Sequence, residues 1–399
     1  MSDDIQFLRQ ALRVARRAYG ATSPNPLVGA LLVKHGQIIG RGWHHRAGMP
    51  HAEIEALRDA QKRGHSPKGA TIYVTLEPCC TYGRTPPCTE AIKAAGIRRV
   101  VVGATDPNPH HAGAGFKILR RAGIEVVHGV LADECTLLNE SFNHWIVHRT
   151  PFVTVKAAMT LDGKIATTSG ESKWITGEAA RAEGMRLRLG SDSILVGVNT
   201  ILADDPSLTV RGVKIPMKPL RRIILDSQAR TPLTAKVLSD EHAGLTTIVV
   251  GKSAPAKRVA ALAKHVNVLR APLIKTGINL RWLLKKLGAE NVTSLLVEGG
   301  GEVNASFLLN HLAQRVAFFY APKILGGRDS HRAVAGEGVR SLTEVIQLEE
   351  VQYKRVGGDL MMTARVALWA NVLPSREQST RAYLHRRSAR RKSSPGREI

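Results

Sequence analysis

Three short segments with metal-binding side chains constrain the fold of this chain more than any other feature of its sequence. They are residues 50–53 (PHAE), 78–80 (PCC) and 87–88 (PC). A catalytic zinc ion takes three protein ligands and keeps a fourth position open for water. One histidine and two cysteines meet that number, so we expect a fold that brings His51, Cys79 and Cys88 together around one zinc ion per chain.

The spacing of His51 and Glu53 predicts where this site lies on its helix. Residues two apart do not share one face of a regular helix, so both reach one metal only from the first turn. Pro50 suits the start of such a helix, and Pro87 does the same for Cys88. The dipoles of two helix N-termini would favour thiolates. A zinc ion lowers the pKa of bound water. If that water displaces an amino group from a substrate, a carboxylate outside the ligand set must move the proton from the water to the departing amine. Glu53 is the candidate catalytic residue.

The separation of the two cysteines departs from the pattern of the zinc nucleobase deaminases. Those enzymes carry H-x-E followed by P-C-x-x-C, whereas CTYGRTPP separates Cys79 from Cys88 here. Choosing Cys80 as the ligand would lose the Pro-Cys register, so Cys79 is preferred. A lone H-x-E would fit a buried cysteine pair beside a chance histidine better, but the three segments together favour a metal site.

Strand-like and helix-like segments alternate along the chain and predict an α/β protein. Apolar residues at helical spacing in residues 5–15, with charges between them, indicate a surface helix and not a signal peptide. A hairpin is expected around residues 34–36. The pattern restarts near residue 150, so we expect domains at 1–148 and 151–370. No apolar run is long enough to span a bilayer, and we expect a cytoplasmic protein.

The formal charge of +24 at pH 7 raises the question of an anionic partner. Residues 374–399 carry eight Lys/Arg against two Asp/Glu and few apolar side chains. This composition predicts a disordered basic tail, which is either passive or a contact for anions or nucleic acid. Three of the four cysteines fall within ten residues, which favours metal binding over disulfides in a chain without a secretory signal.

Motifs in both halves of the chain resemble the bifunctional riboflavin biosynthesis enzymes. The N-terminal half has SPNPLVG, HAE, TLEPC, GRTPPC and TDPNP, and the C-terminal half has TLDGKIAT, GESKWITG, ILVGVNTILADDPSLTVR, VEGGGEVNASFL and APKILGG. That family joins a diaminohydroxyphosphoribosylaminopyrimidine deaminase to a 5-amino-6-(5-phosphoribosylamino)uracil reductase. The resemblance covers residues 1–370. It implies an N-terminal cytidine-deaminase-like α/β/α domain and a C-terminal dihydrofolate-reductase-like α/β domain.

The resemblance implies two reactions, two cofactors and a set of site residues. Zinc-dependent hydrolytic deamination of 2,5-diamino-6-(5-phosphoribosylamino)pyrimidin-4-one would precede NADPH-dependent reduction of the ribosyl group to ribityl. The zinc ligands would be His51, Cys79 and Cys88, and the proton shuttle Glu53. The family's NADP contacts carry over to Ala158, Trp174, Thr200, Asp204, Ser227, Gly300, Gly301, Glu302, Val303, Asn304, Ala305 and Ser306. The substrate contacts carry over to Asn25, Ser172, Arg188, Leu208, Arg211 and Glu298. The family also suggests a homo-oligomer that binds phosphoribosylated pyrimidines and neither membranes nor nucleic acid.

Several of these residues have a plainer interpretation from the sequence alone. Asn25 could serve only the turn in S-P-N-P, Trp174 could be a core residue, and Asp204 could belong to a turn. Arg188 and Arg211 suit phosphate oxygens but could be ordinary surface arginines. The glycines at 299–301 could bind a phosphate at a helix N-terminus or form a simple connector. Residues 180–188 (ARAEGMRLR) are interrupted by glycine and do not predict a strong helix.

Two other functions compete with this interpretation. A nucleic-acid (tRNA) base deaminase with an accessory domain would explain the high positive charge, but the cysteine spacing and the whole second domain count against it. A non-catalytic scaffold would not need His51, Glu53, Cys79 and Cys88 to be intact.

Arg84 could meet the substrate phosphate or be a solvated loop residue.

Overall fold

The computed structural model describes residues 2–82, 86–109, 111–212 and 218–367. Arg84 and the basic tail at 374–399 lie outside the described residues. The chain divides into two compact units, one of Met1–Val153 with Arg181–Gly299 and one of Thr154–Ala180 with the chain from Gly300 onward. The first unit contains the whole of the predicted first domain and part of the second, so the boundary near residue 150 stays a prediction.

Helices and strands alternate through most of the chain. The first half contains, in order, α1 (Ser2–Ala15), β1 (Gly29–Lys34), β2 (Gln37–Trp43), α2 (Ala52–Lys62), β3 (Thr71–Leu76), α3 (Cys88–Ala94), β4 (Arg99–Ala104), α4 (Ala114–Arg121), β5 (Glu125–His128), α5 (Ala132–Leu138), α6 (Glu140–His148), β6 (Phe152–Thr160), β7 (Lys164–Ala166) and α7 (Glu178–Leu189). The second half contains β8 (Ser193–Gly197), α8 (Val198–Asp204), β9 (Arg221–Leu225), α9 (Lys236–Ser239), β10 (Thr246–Gly251), α10 (Ala256–Ala263), β11 (Asn267–Ala271), β12 (Leu273–Ile274), β13 (Gly277–Ile278), α11 (Leu280–Ala289), β14 (Ser294–Val297), α12 (Gly301–Leu309), β15 (Arg315–Ala321), β16 (His331–Arg332), β17 (Leu348–Val356) and β18 (Asp359–Val366). None of the helices within the described ranges is long and apolar enough for a membrane span.

The N-terminal part of the first unit is a three-layer α/β/α sandwich. Its sheet has the order β2-β1-β3-β4-β5, with β1 antiparallel to both neighbours and the remaining pairs parallel. Side chains alternate between two apolar clusters, as successive residues of a strand must. Ala30 and Leu32 of β1 pack in the cluster that includes α2, α3 and α4, whereas Leu31 and Val33 pack in the cluster that includes α1 and α5. The predicted α/β/α architecture of this part is therefore confirmed.

The predicted hairpin is present, and a glycine in its second strand sets the distance between α2 and the sheet. β1 and β2 are joined through His35 and Gly36, which both have positive φ (49° and 74°), as the favoured two-residue hairpin turn requires. α2 packs directly on β2. A Cβ at Gly42 would lie 2.2 Å from the carbonyl oxygen of Ala52, the first residue of α2. The glycine therefore allows α2 to lie against the strand at backbone contact distance.

The C-terminal part of the first unit contains five parallel strands in the order β11-β10-β9-β8-β14. The weak helix expected at residues 180–188 is in fact the continuous helix α7, which runs through Gly184. Its last turn is fixed from outside, because Leu189 is buried and Arg188 forms an ion pair with Glu298. Tertiary contacts here outweigh the low helix propensity of glycine.

The second unit is built on β6, β15, β18 and β17 in that order. β15 runs parallel to β6, and β18 is antiparallel to both β15 and β17. α12 follows the glycine segment and begins at Gly301. A Cβ at Gly301 would lie 2.2 Å from the carbonyl oxygen of Arg332. This glycine is therefore required by packing within the unit.

Candidate functional site

The first unit brings the three predicted zinc ligands together beside two helix N-termini. His51 is the N-cap residue of α2, Cys79 lies three residues after the end of β3, and Cys88 is the first residue of α3. The Nδ1 atom of His51 lies 3.5 Å from Sγ of Cys79 and 3.3 Å from Sγ of Cys88. All three ligand atoms lie within 4.8 Å of one another. Tetrahedral Zn–N and Zn–S bonds separate the nitrogen and sulfur ligands by about 3.5 Å, so this donor set fits zinc.

The environment of the two cysteines distinguishes their protonation states. The backbone amide of Cys88 donates to Sγ of Cys79 over 3.2 Å. Hydrogen bonds from Cys88 and His51 lower the pKa of Cys79 well below that of a free thiol. The pKa of Cys88 is raised by its hydrogen bond to Cys79 and by burial. The pair therefore has one thiolate ready for a metal and a second that forms when a cation replaces the shared proton. Cys80 is not part of the ligand cluster found among the described residues.

Glu53 lies in the first turn of α2, as the spacing H-x-E predicts. The residue is 3% exposed, and its carboxyl group lies close enough to Cys79, His51 and Cys88 for all three to affect its pKa. Burial raises the pKa of Glu53 to about 7, and the negative charge of Cys79 adds to this effect. A carboxyl group with this pKa both accepts and releases a proton near neutral pH.

A buried histidine that the sequence interpretation missed orients Asn25. Nδ1 of His44 lies 3.0 Å from the carbonyl oxygen of Pro50, and Nε2 lies 3.0 Å from Nδ2 of Asn25. A carbonyl only accepts, so Nδ1 carries the hydrogen and Nε2 accepts from the Asn25 amide. Burial lowers the pKa of His44 and keeps it in this neutral form. The ring of His44 also packs edge-on against the ring of His51, with centroids 5.4 Å apart.

Glu77, two residues before Cys79, holds a second loop at the site and was also missed as a functional residue. Its carboxylate, 6% exposed as a residue, accepts from the backbone amides of Asp106, Gly113 and Gly115 at 2.9–3.1 Å. The motif TLEPC carried the resemblance, but no local pattern indicated this contact. The three hydrogen bonds tie the residues that follow β4 to the strand end that carries Cys79.

Apart from Asn25, the predicted substrate residues of the first unit form one pair and two separate positions. The guanidinium of Arg188 makes two hydrogen bonds to the carboxylate of Glu298, at 2.8 and 2.9 Å, and a third to the carbonyl of Thr209. Arg188 is therefore a mostly buried residue and not an ordinary surface arginine. The side chain of Leu208 is buried in an apolar cluster, so only its backbone remains for a ligand. Arg211 is exposed.

The predicted cofactor residues of the first unit lie after the ends of β8 and β9. Thr200 and Asp204 are half-buried in α8, and Asp204 is its last residue, so the helix includes it and the turn begins at Asp205. Ser227 follows β9 by two residues, and its carbonyl accepts from the amide of Gly251.

The predicted cofactor and substrate residues of the second unit differ in what they can offer. Trp174 is 64% exposed, so it is not a core residue, and Ala158 and Ser172 are half-buried. In the segment 300–306, Gly300 caps α12 and has open space where a Cβ would lie. The first amides of α12 have no partner within the helix. The rest of the predicted segment is occupied: Asn304 is fully buried and donates to Ala333, Ala305 is buried, and the hydroxyl of Ser306 donates to the carbonyl of Glu302. An anion could thus approach residues 300–303 only.

Comparison with known families supports the assignment of the deaminase motifs to the N-terminal half and the reductase motifs to the C-terminal half. Residues 151–362 match the family model described as the RibD C-terminal domain. Residues 1–104 match the model described as the cytidine and deoxycytidylate deaminase zinc-binding region. The second of these ranges contains all three residues of the metal-ligand cluster.

Similar proteins span almost the whole chain. The riboflavin biosynthesis protein RibD of Aquifex aeolicus is 45% identical over 90% of this chain and 97% of its own length, and that of Escherichia coli K12 is 38% identical over 90% and 98%. Among solved structures, RibD of Acinetobacter baumannii (form 1) has a TM-score of 0.81 at 36% identity and covers 92% of this chain and 99% of its own. The diaminohydroxyphosphoribosylaminopyrimidine deaminase/5-amino-6-(5-phosphoribosylamino)uracil reductase of Thermotoga maritima has a TM-score of 0.78 at 34% identity, with the same coverage.

Proposed function

The chain belongs to the RibD family of riboflavin biosynthesis proteins, and from this premise we propose how its own residues carry out the two activities of that family. Members are bifunctional, with a zinc-dependent deaminase of the cytidine-deaminase type and a reductase with a dihydrofolate-reductase-like fold that uses NADPH. Their substrates are phosphoribosylated pyrimidines. The assignment of individual residues to these activities is our proposal.

His51, Cys79 and Cys88 hold the zinc ion of the deaminase. The observation that carries this assignment is the meeting of the three ligand atoms within 4.8 Å, beside the buried carboxyl of Glu53. When bound, zinc supplies Lewis-acid activation of a water molecule by lowering its pKa. The hydrogen bond from the Cys88 amide to Sγ of Cys79 keeps that thiolate in place.

Glu53 moves the proton of the deamination. It is the buried carboxyl group beside the ligand cluster, and its pKa of about 7 suits both steps, acceptance from water and donation to the departing amine. Asn25 holds the pyrimidine. Since its Nδ2 donates to His44, the amide is oriented with Oδ1 as the group offered to a ring N–H or amino group.

The reductase activity is assigned to the residues of the C-terminal half. NADPH is contacted by Ala158, Trp174, Thr200, Asp204 and Ser227 and, of the predicted segment 300–306, by the backbone of residues 300–303, where its phosphates bind. Ser172, Arg188, Leu208, Arg211 and Glu298 hold the phosphoribosyl substrate. NADPH supplies the hydride, and the role of these side chains is binding and orientation. Arg211 is exposed, whereas Arg188 is already paired with Glu298. Arg211 therefore carries the direct phosphate contact, and Arg188 orients Glu298.

We also propose a cytoplasmic homo-oligomer that does not depend on nucleic acid or membranes. Exposed apolar side chains on the hairpin of β17 and β18, among them Val351, Tyr353 and Leu360, suit a contact between copies of the chain. The alternative function, a nucleic-acid base deaminase with an accessory domain, is not supported, because the family of the whole chain acts on small pyrimidine substrates.

Replacement of Glu53 by Gln tests the deaminase assignment. The amide keeps the size of the side chain but cannot carry the proton, so ammonia release falls by about 10²-fold or more while zinc content stays at that of the unmodified protein. Glu55→Gln is the matched control, because Glu55 lies two residues further along α2 and pairs with Arg58 at the surface. Unchanged ammonia release in Glu53→Gln, with zinc bound, would refute the role of Glu53.

A further inference from the structure

The loop that carries Asn25 is held at three points, and one of them lies in the C-terminal half of the chain. Asn25 itself donates to His44. Two residues later, the backbone N–H and C=O of Leu27 are both bound by the buried amide side chain of Asn139, at 2.7 and 2.9 Å. Two residues earlier, the hydroxyl of Ser23 donates to Oδ2 of Asp192 over 2.8 Å. The first two points belong to the deaminase region, and the third does not.

Asp192 is fixed firmly enough to serve as a reference point for this loop. It lies just before β8 and is 7% exposed. Besides Ser23, its Oδ2 atom accepts from the amide and the hydroxyl of Thr293, at 2.6 and 2.8 Å, and from the amide of Ser294 at 3.2 Å. Lys218 pairs with its other carboxylate oxygen. The carboxylate is therefore locked by Thr293, Ser294 and Lys218, and among the residues that the structure describes Ser23 is its partner from the N-terminal half.

Close backbone packing beside this hydrogen bond is a second, independent sign that the loop is seated on the C-terminal segment. A Cβ at Gly190 would lie 2.1 Å from the hydroxyl oxygen of Tyr19. A Cβ at Gly20 would lie 2.5 Å from the carbonyl oxygen of Leu189. A larger side chain at position 20 would push this loop away from the backbone of Leu189, whereas one at position 190 would meet only the end of the Tyr19 side chain, which can turn aside.

We propose that Asp192, through Ser23, is a positioning residue for the deaminase, so that a segment next to the reductase strands sets the place of Asn25 in the pyrimidine site. The inference rests on the proposed role of Asn25. Because Ser23 lies only two residues from Asn25, loss of the contact lets the loop shift at its substrate-binding end. The zinc ligands and Glu53 lie on α2, α3 and the end of β3, so they keep their places.

The test is the steady-state kinetics of Ser23→Ala in the full-length protein with zinc and the diaminopyrimidinone substrate. We expect KM of the deaminase to rise roughly three- to tenfold, kcat to change by less than about twofold, and zinc content to stay the same. Reduction of the deaminated intermediate keeps its kinetic constants. Ser23→Thr retains the hydroxyl and restores KM. Ser191→Ala is the matched control, because its hydroxyl lies one residue from Asp192 but donates to Leu187.

A second variant and a reference variant make the outcomes decisive. Gly20→Ala, whose Cβ would lie 2.5 Å from the carbonyl oxygen of Leu189, displaces the same loop from the other side and should raise KM without loss of zinc. Asn25→Ala reports on the proposed function: if it leaves KM unchanged, the role of Asn25 is wrong. If Asn25→Ala raises KM but Ser23→Ala and Gly20→Ala do not, positioning by Asp192 is overturned while the role of Asn25 stands. A parallel fall of kcat, zinc content and melting temperature in Ser23→Ala would also overturn it, since the contact would then be structural only.

Discussion

The backbone amide of Cys88 donates a hydrogen bond of 3.2 Å to the Sγ atom of Cys79, nine residues earlier in the chain. One predicted ligand thus holds another in place. The amide belongs to the first residue of α3, so the position of Cys79 depends on where that helix begins. The same amide supplies a partial positive charge to the thiolate.

Metal content should distinguish Cys79 from its neighbour Cys80. We expect Cys79→Ala and Cys88→Ala each to reduce bound zinc from one ion per chain to nearly none, because each removes one of three protein ligands. Cys80→Ala is the matched control and should keep the metal. Mass spectrometric metal analysis of the dialysed proteins makes the measurement. Zinc retained by Cys79→Ala and lost by Cys80→Ala would reverse the ligand assignment.

Removal of zinc should separate the two activities. A chelator is expected to stop ammonia release, since the deaminase loses its Lewis acid, whereas oxidation of NADPH with the deaminated intermediate changes by less than about twofold. The two rates are measured on the same preparation, and circular dichroism checks that the fold is retained. Loss of both activities in a folded protein would show that the sites are not independent.

Glu77 should contribute to stability in proportion to its three hydrogen bonds. In Glu77→Gln the neutral side chain keeps one acceptor oxygen and loses the charge, and we expect the free energy of unfolding to fall by about 2 kcal/mol. Glu90→Gln, at an exposed pair with Lys93, should change it by less than about 0.5 kcal/mol. Urea titration at neutral pH gives both values. Equal effects of the two substitutions would contradict the assigned role.

The ion pair of Asp4 with Arg99 should make stability depend on pH in acid. The hydrogen bond from Arg99 lowers the pKa of Asp4 below 3.8, its ordinary value. The carboxylate therefore stabilises the folded state above pH 3.8, and this contribution is lost as the pH falls through the lower folded pKa. We expect Asp4→Asn to cost about 2 kcal/mol at pH 7 and progressively less below pH 3.8. A difference between the two proteins that grows in acid would contradict this.

A double substitution should separate the structural role of Arg188 from its role in reduction. Arg188→Met removes the bidentate partner of the buried Glu298 and should cost about 3 kcal/mol or more. Arg188→Met with Glu298→Leu replaces the whole pair by apolar groups and should recover most of that stability. The KM of the reductase for its phosphoribosyl substrate should be higher in both variants than in the unmodified protein. A double variant with normal KM would exclude this pair from substrate binding.

The sequence predicts the deaminase site well because its signals are local. The prolines before His51 and Cys88 mark two helix starts, and the H-x-E spacing limits Glu53 to the first turn. The strands β3, β4 and β5 follow from their β-branched runs, and His35-Gly36 identifies the hairpin of β1 and β2. In each case the pattern lies within a few residues of the feature that it predicts, so no knowledge of distant contacts is needed.

Features that depend on distant partners were not predictable in this way. Ser23 and Asp192 are 169 residues apart, and neither stands in a pattern that indicates the other. The helix α7 contains a glycine and is held by the contact of Arg188 with Glu298. The sequence leaves Trp174 as either a cofactor contact or a core residue, and only the fold shows that it is 64% exposed. The strand β17 is exposed along most of its length and has no alternation of polar and apolar residues, so its pairing with β18 defines it.

The close approach of α2 to β2 at Gly42 has a consequence for how this enzyme can vary. Gly42 lies in a strand and is not a predicted metal or substrate residue, yet its contact with Ala52 sets the distance of the N-terminus of α2, and with it of His51, from the sheet. A methyl group at position 42 would overlap the carbonyl oxygen of Ala52 and push the first turn of α2 away from β2. Saturation mutagenesis should therefore find that substitutions at position 42 reduce zinc binding as much as substitutions of a ligand do, although residue 42 is not a ligand.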